Sequence, residues 1–109
     1  MNDASDLKGV AGIFLTEAKG YVAQLREGIS CLEENKSLLL PIEALVRAAH
    51  TLKGASAMLG NKTIEYSARV LENLFKKIKE DQKYFDDEAQ QLSKSALKEI
   101  EDSLEKDFE

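Results

Sequence analysis

Apolar side chains recur every three or four residues in four separate stretches of this chain, and that interval restricts the fold more than any other feature of the sequence. Leu7, Val10, Phe14, Ala18, Tyr21, Leu25, Ile29 and Leu32 follow the spacing that lines up one face of an α-helix. Ile42, Leu45, Ala49, Leu52, Ser56 and Leu59 make a second stripe, and Ile64, Ala68, Leu71, Phe75 and Ile78 a third. Ala89, Leu92, Ala96, Ile100 and Leu104 make a fourth, with Phe85 and Phe108 near its ends. With one Pro, no Trp and Ala, Leu, Glu and Lys abundant, the composition favours helix over strand. A chain of 109 residues removes roughly two thirds of its unfolded surface from water on folding, enough for one core and a single domain over residues 1–109.

Local signals punctuate the stripes. Ser5 or Asp3 can cap the first helix, although Gly9, Gly12, Gly20 and Gly28 each cost about 1 kcal/mol relative to Ala in a helix interior, so packing has to hold it together. Glu34-Asn35-Lys36-Ser37 breaks the pattern, and Pro41 suits the first turn of the second helix, where its missing N–H costs nothing. Gly60 suits the left-handed residue that ends that helix, and Asn61 can open the third. Glu80-Asp81-Gln82-Lys83 interrupts the third stripe, after which Asp86 or Asp87 can cap the fourth helix. The expected helices span residues 5–33, 41–59, 62–80 and 87–106. Short connectors make consecutive helices antiparallel neighbours, so the expected fold is all-α, an up-down-up-down four-helix bundle. Neither internal repeats nor a low-complexity segment is present.

Fifteen basic residues against twenty acidic ones leave a net charge of −5, which opposes a general affinity for nucleic acid or anionic lipid. No apolar run approaches the ~18–20 residues of a membrane span, and Asp3 and Asp6 spoil the basic-then-apolar pattern of a signal peptide, so a cytoplasmic location is expected. The single cysteine, Cys31, has no internal disulfide partner and lies near an apolar stripe, which points to packing.

The only histidine does not belong to a stripe. At 100° per residue the inward face of the second helix centres near Ala49 and Ser56, and His50 points about 130° away, toward solvent. Gly54 lies one turn along the same outward strip and Ala57 follows, which leaves the surface beside the imidazole almost bare. A solvated mid-helix glycine has no packing reason to persist unless another surface must come close, although an incidental histidine beside an incidental glycine satisfies the same geometry. His50 precedes Asn61 by eleven residues and Glu72 follows it by eleven, so the two should lie level across the groove between the second and third helices. An imidazole that donates one ring N–H to a carboxylate has its tautomer fixed and its other nitrogen made a better nucleophile toward phosphorus. By the same count Lys53 is level with Arg69. Arg47, Lys53 and Arg69 would surround the imidazole with positive charge suited to a phosphoryl group and an acidic partner, although an ordinary solvated face accounts for any one of them.

The run Arg47-Ala48-Ala49-His50-Thr51-Leu52-Lys53-Gly54-Ala55-Ser56-Ala57-Met58-Leu59-Gly60 closely resembles the signature of histidine phosphotransfer domains, in which a His, a Lys three on and a Gly four on recur together. Phe14-Leu15-Thr16-Glu17-Ala18 and Leu71-Glu72-Asn73-Leu74 are similar to segments of the N-terminal phosphotransfer domain of chemotaxis-type kinases, so the likeness covers nearly the whole chain. The resemblance implies a four-helix bundle, or one with an added fifth helix, whose histidine is phosphorylated on Nε2. Carried over by position, His50 is the phosphoacceptor, Glu72 accepts its Nδ1–H, Lys53 is a cation beside the phosphoryl group, and Gly54 gives clearance for a partner. It implies two partners, the ATP-binding domain of a histidine kinase and the receiver domain of a response regulator, with Arg47, Gly54, Ala57 and Arg69 on the docking side. Arg69 stands where several members carry a second His; it can substitute as a fixed charge but not as a titrating group. No Gly-rich nucleotide loop is present, so the expected role is that of substrate and relay rather than enzyme, with no cofactor and no metal.

Two other readings compete. An adaptor bundle that docks a partner without phosphotransfer explains the stripes but assigns nothing to His50, Lys53, Gly54 or Glu72. A carboxylate-bridged metal enzyme needs Glu-x-x-His pairs, and Arg47 stands three before the only His. The sequence leaves open whether this is the N-terminal piece of a larger kinase or a free-standing relay.

Overall fold

The computed structural model describes residues 4–35 and 41–108, with side chains from Gly9 onward. Four α-helices form: α1 (Ala4–Glu33), α2 (Ile42–Met58), α3 (Lys62–Glu80) and α4 (Asp87–Phe108), with a short 3₁₀ turn at Gln82–Tyr84 between the last two. The fold is all-α, a four-helix bundle, and no strand occurs among the described residues.

The helix ends follow from local chemistry. Pro41 stands just outside α2 at φ −57° and ψ 147°, an extended conformation that makes it the capping residue rather than part of the first turn, and its carbonyl accepts from the Ala44 N–H at 2.9 Å. At the other end of α2, Gly60 takes φ 75°; its N–H donates to the Ala57 carbonyl and that of Asn61 to the Ser56 carbonyl at 2.9 Å, a left-handed termination that satisfies two carbonyls the helix would otherwise leave open. Asn61 at once opens α3, its Oδ1 accepting from the Ile64 N–H at 2.9 Å. Its amide nitrogen donates to Ser103 Oγ and Asp107 Oδ2, tying this turn to the end of α4. Asp86 caps α4 through the Ala89 N–H at 2.9 Å. Ser5 lies inside the first turn of α1 rather than before it, whereas Asp3, Lys36, Ser37 and the side chain of Leu7 lie outside the described residues.

Cross-helix pairs read out the register. Glu43 with Lys79 and His50 with Glu72 are each equidistant from Asn61, so α2 and α3 run antiparallel and level about that turn. Phe14 meets Phe108 with ring centroids 5.0 Å apart, Arg26 meets Glu101, and Glu33 meets Lys94, which makes α1 and α4 antiparallel as well. Phe14, Ala18, Leu25, Leu45, Leu52, Ile64, Leu71, Phe75, Ile100 and Leu104 converge on one core. At Gly28 a β-carbon would sit 2.5 Å from Leu45 Cδ1, so α1 and α2 touch there backbone to side chain. Cys31 is buried, its thiol 3.7 Å from Glu27 Oε1.

Several stripe positions among the described residues depart from the periodic pattern, Ile42 and Leu59 by being only partly buried. Val10 is half-exposed because α1, at 30 residues about 45 Å long, outruns the 17-residue α2. With Gly28 opposite Leu45, Met58 comes level with Leu15, and the α1 residues before it have no neighbour in α2. Tyr21 is only partly buried, and Val22 fills the core position instead. Leu92 is also half-exposed, since the buried face of α4 centres between Ala96, Ile100 and Ser93 and leaves it on the margin toward α3.

Candidate functional site

Burial of Leu45, Ala48, Ala49, Leu52 and Ser56 fixes the rotation of α2, and with it the outward direction of His50, whose side chain is 66% exposed. Arg47, Gly54, Ala57 and Met58 are exposed on the same side of the helix, and a β-carbon added at Gly54 would meet nothing within 4 Å. The surface beside the imidazole is thus flat and open.

Under that surface lies a carboxylate. Glu72 projects from α3 between Leu71 and Phe75, both in the core, and its side chain is only 3% exposed. Its Oε2 lies 2.7 Å from His50 Nδ1, and its Oε1 accepts from Lys53 Nζ at 2.6 Å. Lys76 Nζ stands 3.4 Å from the same Oε2, one turn further along α3. Burial pushes the Glu72 carboxyl up, but the hydrogen bonds from Lys53 and His50, with the charges of Lys53 and Lys76, outweigh it and leave the group at about 2. Glu72 is therefore ionised at neutral pH and can only accept, so the proton it shares with the ring resides on Nδ1. In the neutral imidazole this leaves Nε2 with its lone pair free for nucleophilic attack.

The structure brings His50, Lys53 and Glu72 into one cluster. Arg69 is turned away from the cluster, pairing with Glu65 along its own helix at 3.3 Å, while Arg47 is exposed one turn before His50 on α2. The Lys53 ammonium is turned in to the carboxylate, with 26% of the side chain exposed, rather than standing free beside the ring. Lys76 was not singled out by the sequence reasoning, although its position four residues after Glu72 is the spacing at which helical side chains meet. Among the described residues no group of His, Cys, Asp and Glu side chains is arranged to hold a metal ion, and no helix is long and apolar enough to cross a membrane.

A family model described as the Hpt domain matches residues 6–106. The chain belongs to the Hpt domain family. Members of this family are phosphocarriers in two-component signalling rather than catalytic domains, and the chain has that histidine phosphotransfer character. It is similar to the Chemotaxis protein CheA of Borreliella burgdorferi, with 32% identity over 93 residues that make up 85% of this chain and 11% of the relative. It is also similar to the Chemotaxis protein CheA of Bacillus subtilis, with 31% identity over 74 residues, 68% of this chain and again 11% of the relative. This Hpt domain therefore spans about a ninth of the length of those relatives. No solved structure matches it.

Proposed function

We propose that His50 is the phosphoacceptor of this Hpt domain, taking a phosphoryl group from ATP held in the ATP-binding domain of a histidine kinase and passing it to an aspartate of a response-regulator receiver, in the cytoplasm. The observation that carries this reading is the pairing of an exposed imidazole with a buried, ionised carboxylate 2.7 Å from its Nδ1. In the first step the Nε2 lone pair attacks the γ-phosphorus, an N–P bond forms, and the bond from phosphorus to the bridging oxygen breaks as ADP leaves. In the second, the aspartate carboxylate attacks the same phosphorus and the N–P bond breaks, returning its electrons to Nε2. Glu72 serves both steps: it keeps the proton on Nδ1, aims the ring, and stabilises the positive charge the ring gains while phosphorylated. Lys53 is the fixed cation that holds Glu72 in place and adds positive potential beneath the phosphoryl group.

In-line transfer requires the partner's reacting atom to come within a few ångströms of Nε2 along the axis of the breaking bond. The open space at Gly54 permits that approach, with Arg47 and Ala57 exposed on the same side of α2 and Arg69 exposed on α3.

Incubation with a CheA-type kinase core and labelled ATP tests this reading. The domain should acquire an acid-labile, base-stable phosphoryl group that a receiver removes, and His50→Gln should acquire none while remaining helical. In the same assay Gly54→Leu should exchange phosphoryl groups with both protein partners about tenfold more slowly or worse, since one misplaced ångström at a reacting centre costs about a hundredfold. Label retained in His50→Gln would refute His50 as the acceptor, and no label in the native domain would leave the docking-bundle reading in its place.

A further inference from the structure

Two lysines reach the carboxylate that holds His50, and they are held differently. Lys53 is three-quarters buried and 2.6 Å from Oε1, the length of a strong charge-assisted hydrogen bond. Lys76 is 58% exposed and 3.4 Å from Oε2, an ion pair without a short hydrogen bond. It also shares that oxygen with the ring: His50 Nδ1 and Lys76 Nζ each lie on Oε2, so the two nitrogens are no more than about 6 Å apart, within the range over which one charge controls another.

Resting on the reading of His50 as phosphoacceptor, we propose that Lys76 is a mobile second cation of the site, paired with Glu72 Oε2 while the ring is free and transferred to the phosphoryl group once the ring is phosphorylated. The charge changes of the reaction drive the transfer from both ends. When Nε2 bonds to phosphorus with Nδ1 still protonated, the ring becomes cationic, draws more strongly on Oε2 and repels the ammonium that shares it. The new phosphoryl group brings about two negative charges to the other side of the same ring, within reach of a flexible, half-exposed lysine. Lys53 has no such freedom, because leaving Oε1 would abandon a buried carboxylate. The division of labour is a fixed lysine that keeps Glu72 ionised and a loose one that answers the phosphoryl charge. The grouping is asymmetric along the groove, since the cation on the other side, Arg69, is occupied by Glu65.

A small donor isolates this effect from docking. With phosphoramidate the Nε2 lone pair displaces ammonia: the N–P bond to the ring forms as the donor's own P–N bond breaks, and the donor's nitrogen leaves with its three hydrogens. Lys76→Ala should slow the uptake of phosphate on His50 about threefold and shorten the lifetime of the phosphohistidine by a similar factor, the scale of one partly exposed charge contact. Lys76→Glu should slow uptake about tenfold, Lys76→Arg should restore most of the rate, and 1 M salt should shrink the difference between native and Lys76→Ala. A purely structural i to i+4 pair would show none of the charge dependence. NMR gives the direct readout: on phosphorylation the Lys76 ε-methylene and ammonium resonances should shift, and those of Lys53 should stay with Glu72. Native rates in Lys76→Ala and Lys76→Glu, or a Lys76 resonance unmoved by phosphorylation, overturn the inference while His50 remains the acceptor. Failure of phosphoramidate to label the native domain on His50 would instead overturn the reading of His50, and this inference with it.

Discussion

The seam between α2 and α3 and the seam between α1 and α4 are both antiparallel, and each carries exposed ion pairs, Glu43 with Lys79 on the first, but the first also holds a buried carboxylate. Along α1 and α4 the charges pair one to one at the rim: Arg26 with Glu101 at 3.1 Å and Lys94 with Glu33 at 3.4 Å, each pair with substantial solvent exposure. Such pairs are worth about 0–1 kcal/mol each. Between α2 and α3 three nitrogen groups converge on a single carboxylate that is almost fully buried. A buried carboxylate is expensive unless several donors meet it, and removing a partner leaves a charge that water cannot reach. Burial of Leu25, Leu45, Leu52, Ile64, Leu71, Phe75 and Ile100 supplies an apolar core besides that arrangement. Exposed pairs cross both seams, and the α2–α3 seam adds to its own a buried carboxylate 2.7 Å from the exposed imidazole of His50.

The sharpest way to break this comparison is to remove the shared carboxylate. Glu72→Ala should reduce the rate of His50 phosphorylation by about 10–100-fold, the scale on which partners that orient a reactive imidazole act, with helical content unchanged. The ring proton should no longer be confined to Nδ1, which nitrogen-15 spectra of the imidazole report directly. An unchanged rate with an unchanged tautomer would mean that the α2–α3 cluster is only another ion pair, no different from those on α1 and α4.

A second, smaller difference lies in the response to acid. The Glu72 carboxyl is held at about 2, below its usual value of 4.5. Its native form therefore binds fewer protons than its unfolded form between those limits. The stability it contributes is complete above about pH 4.5 and is lost as pH falls toward 2. Urea unfolding at pH 7 and pH 3 should show a decline in the native domain, of which Glu72→Gln abolishes about 1–3 kcal/mol. Glu101→Gln, on the other seam, should leave the decline intact. Equal slopes in all three proteins would remove the distinction between the buried and the exposed carboxylates.

Much of this arrangement could be read before any coordinates, and the parts that could not share one cause. Periodicity shows which face of a helix is buried but not where its neighbour stops. Phe14, Ala18, Leu25 and Ile29 were therefore legible as core, whereas Val10 lies beyond the reach of α2 and Leu92 at the margin of α4. The level pairing of His50 with Glu72 was legible because the turn at Gly60 and Asn61 is tight and symmetric, so counting residues on either side gives height along the bundle. Counting does not reveal which way a long side chain bends. Lys53 and Arg69 stand at the expected height, yet Lys53 turns inward to Glu72 while Arg69 follows its own helix to Glu65. Lys76 went unnoticed because its partner, Glu72, had already been given to His50, and a carboxylate has two oxygens and several lone pairs to share.

The smallest expected effect is on the α1–α4 seam itself. Arg26 is more than half exposed and meets a carboxylate that is also in water, so the Coulomb energy gained at 3.1 Å is largely offset by solvation and by the freedom two side chains give up. Arg26 lines a groove with Val22 and Leu104, and a long side chain of this type packs through its aliphatic stem, so truncation should remove some packing as well as charge. Arg26→Ala should therefore lower unfolding free energy by less than about 1 kcal/mol. Arg26→Met, which keeps apolar contact, should recover part of that loss. Neither change should alter the rate at which His50 is phosphorylated by a small donor, because the pair lies on the far seam and shares no partner with Glu72. A loss of 2 kcal/mol or more in Arg26→Ala, or any slowing at His50, would show that the seams are energetically linked, with the surface pairs on α1 and α4 helping to hold the α2–α3 site in its working geometry.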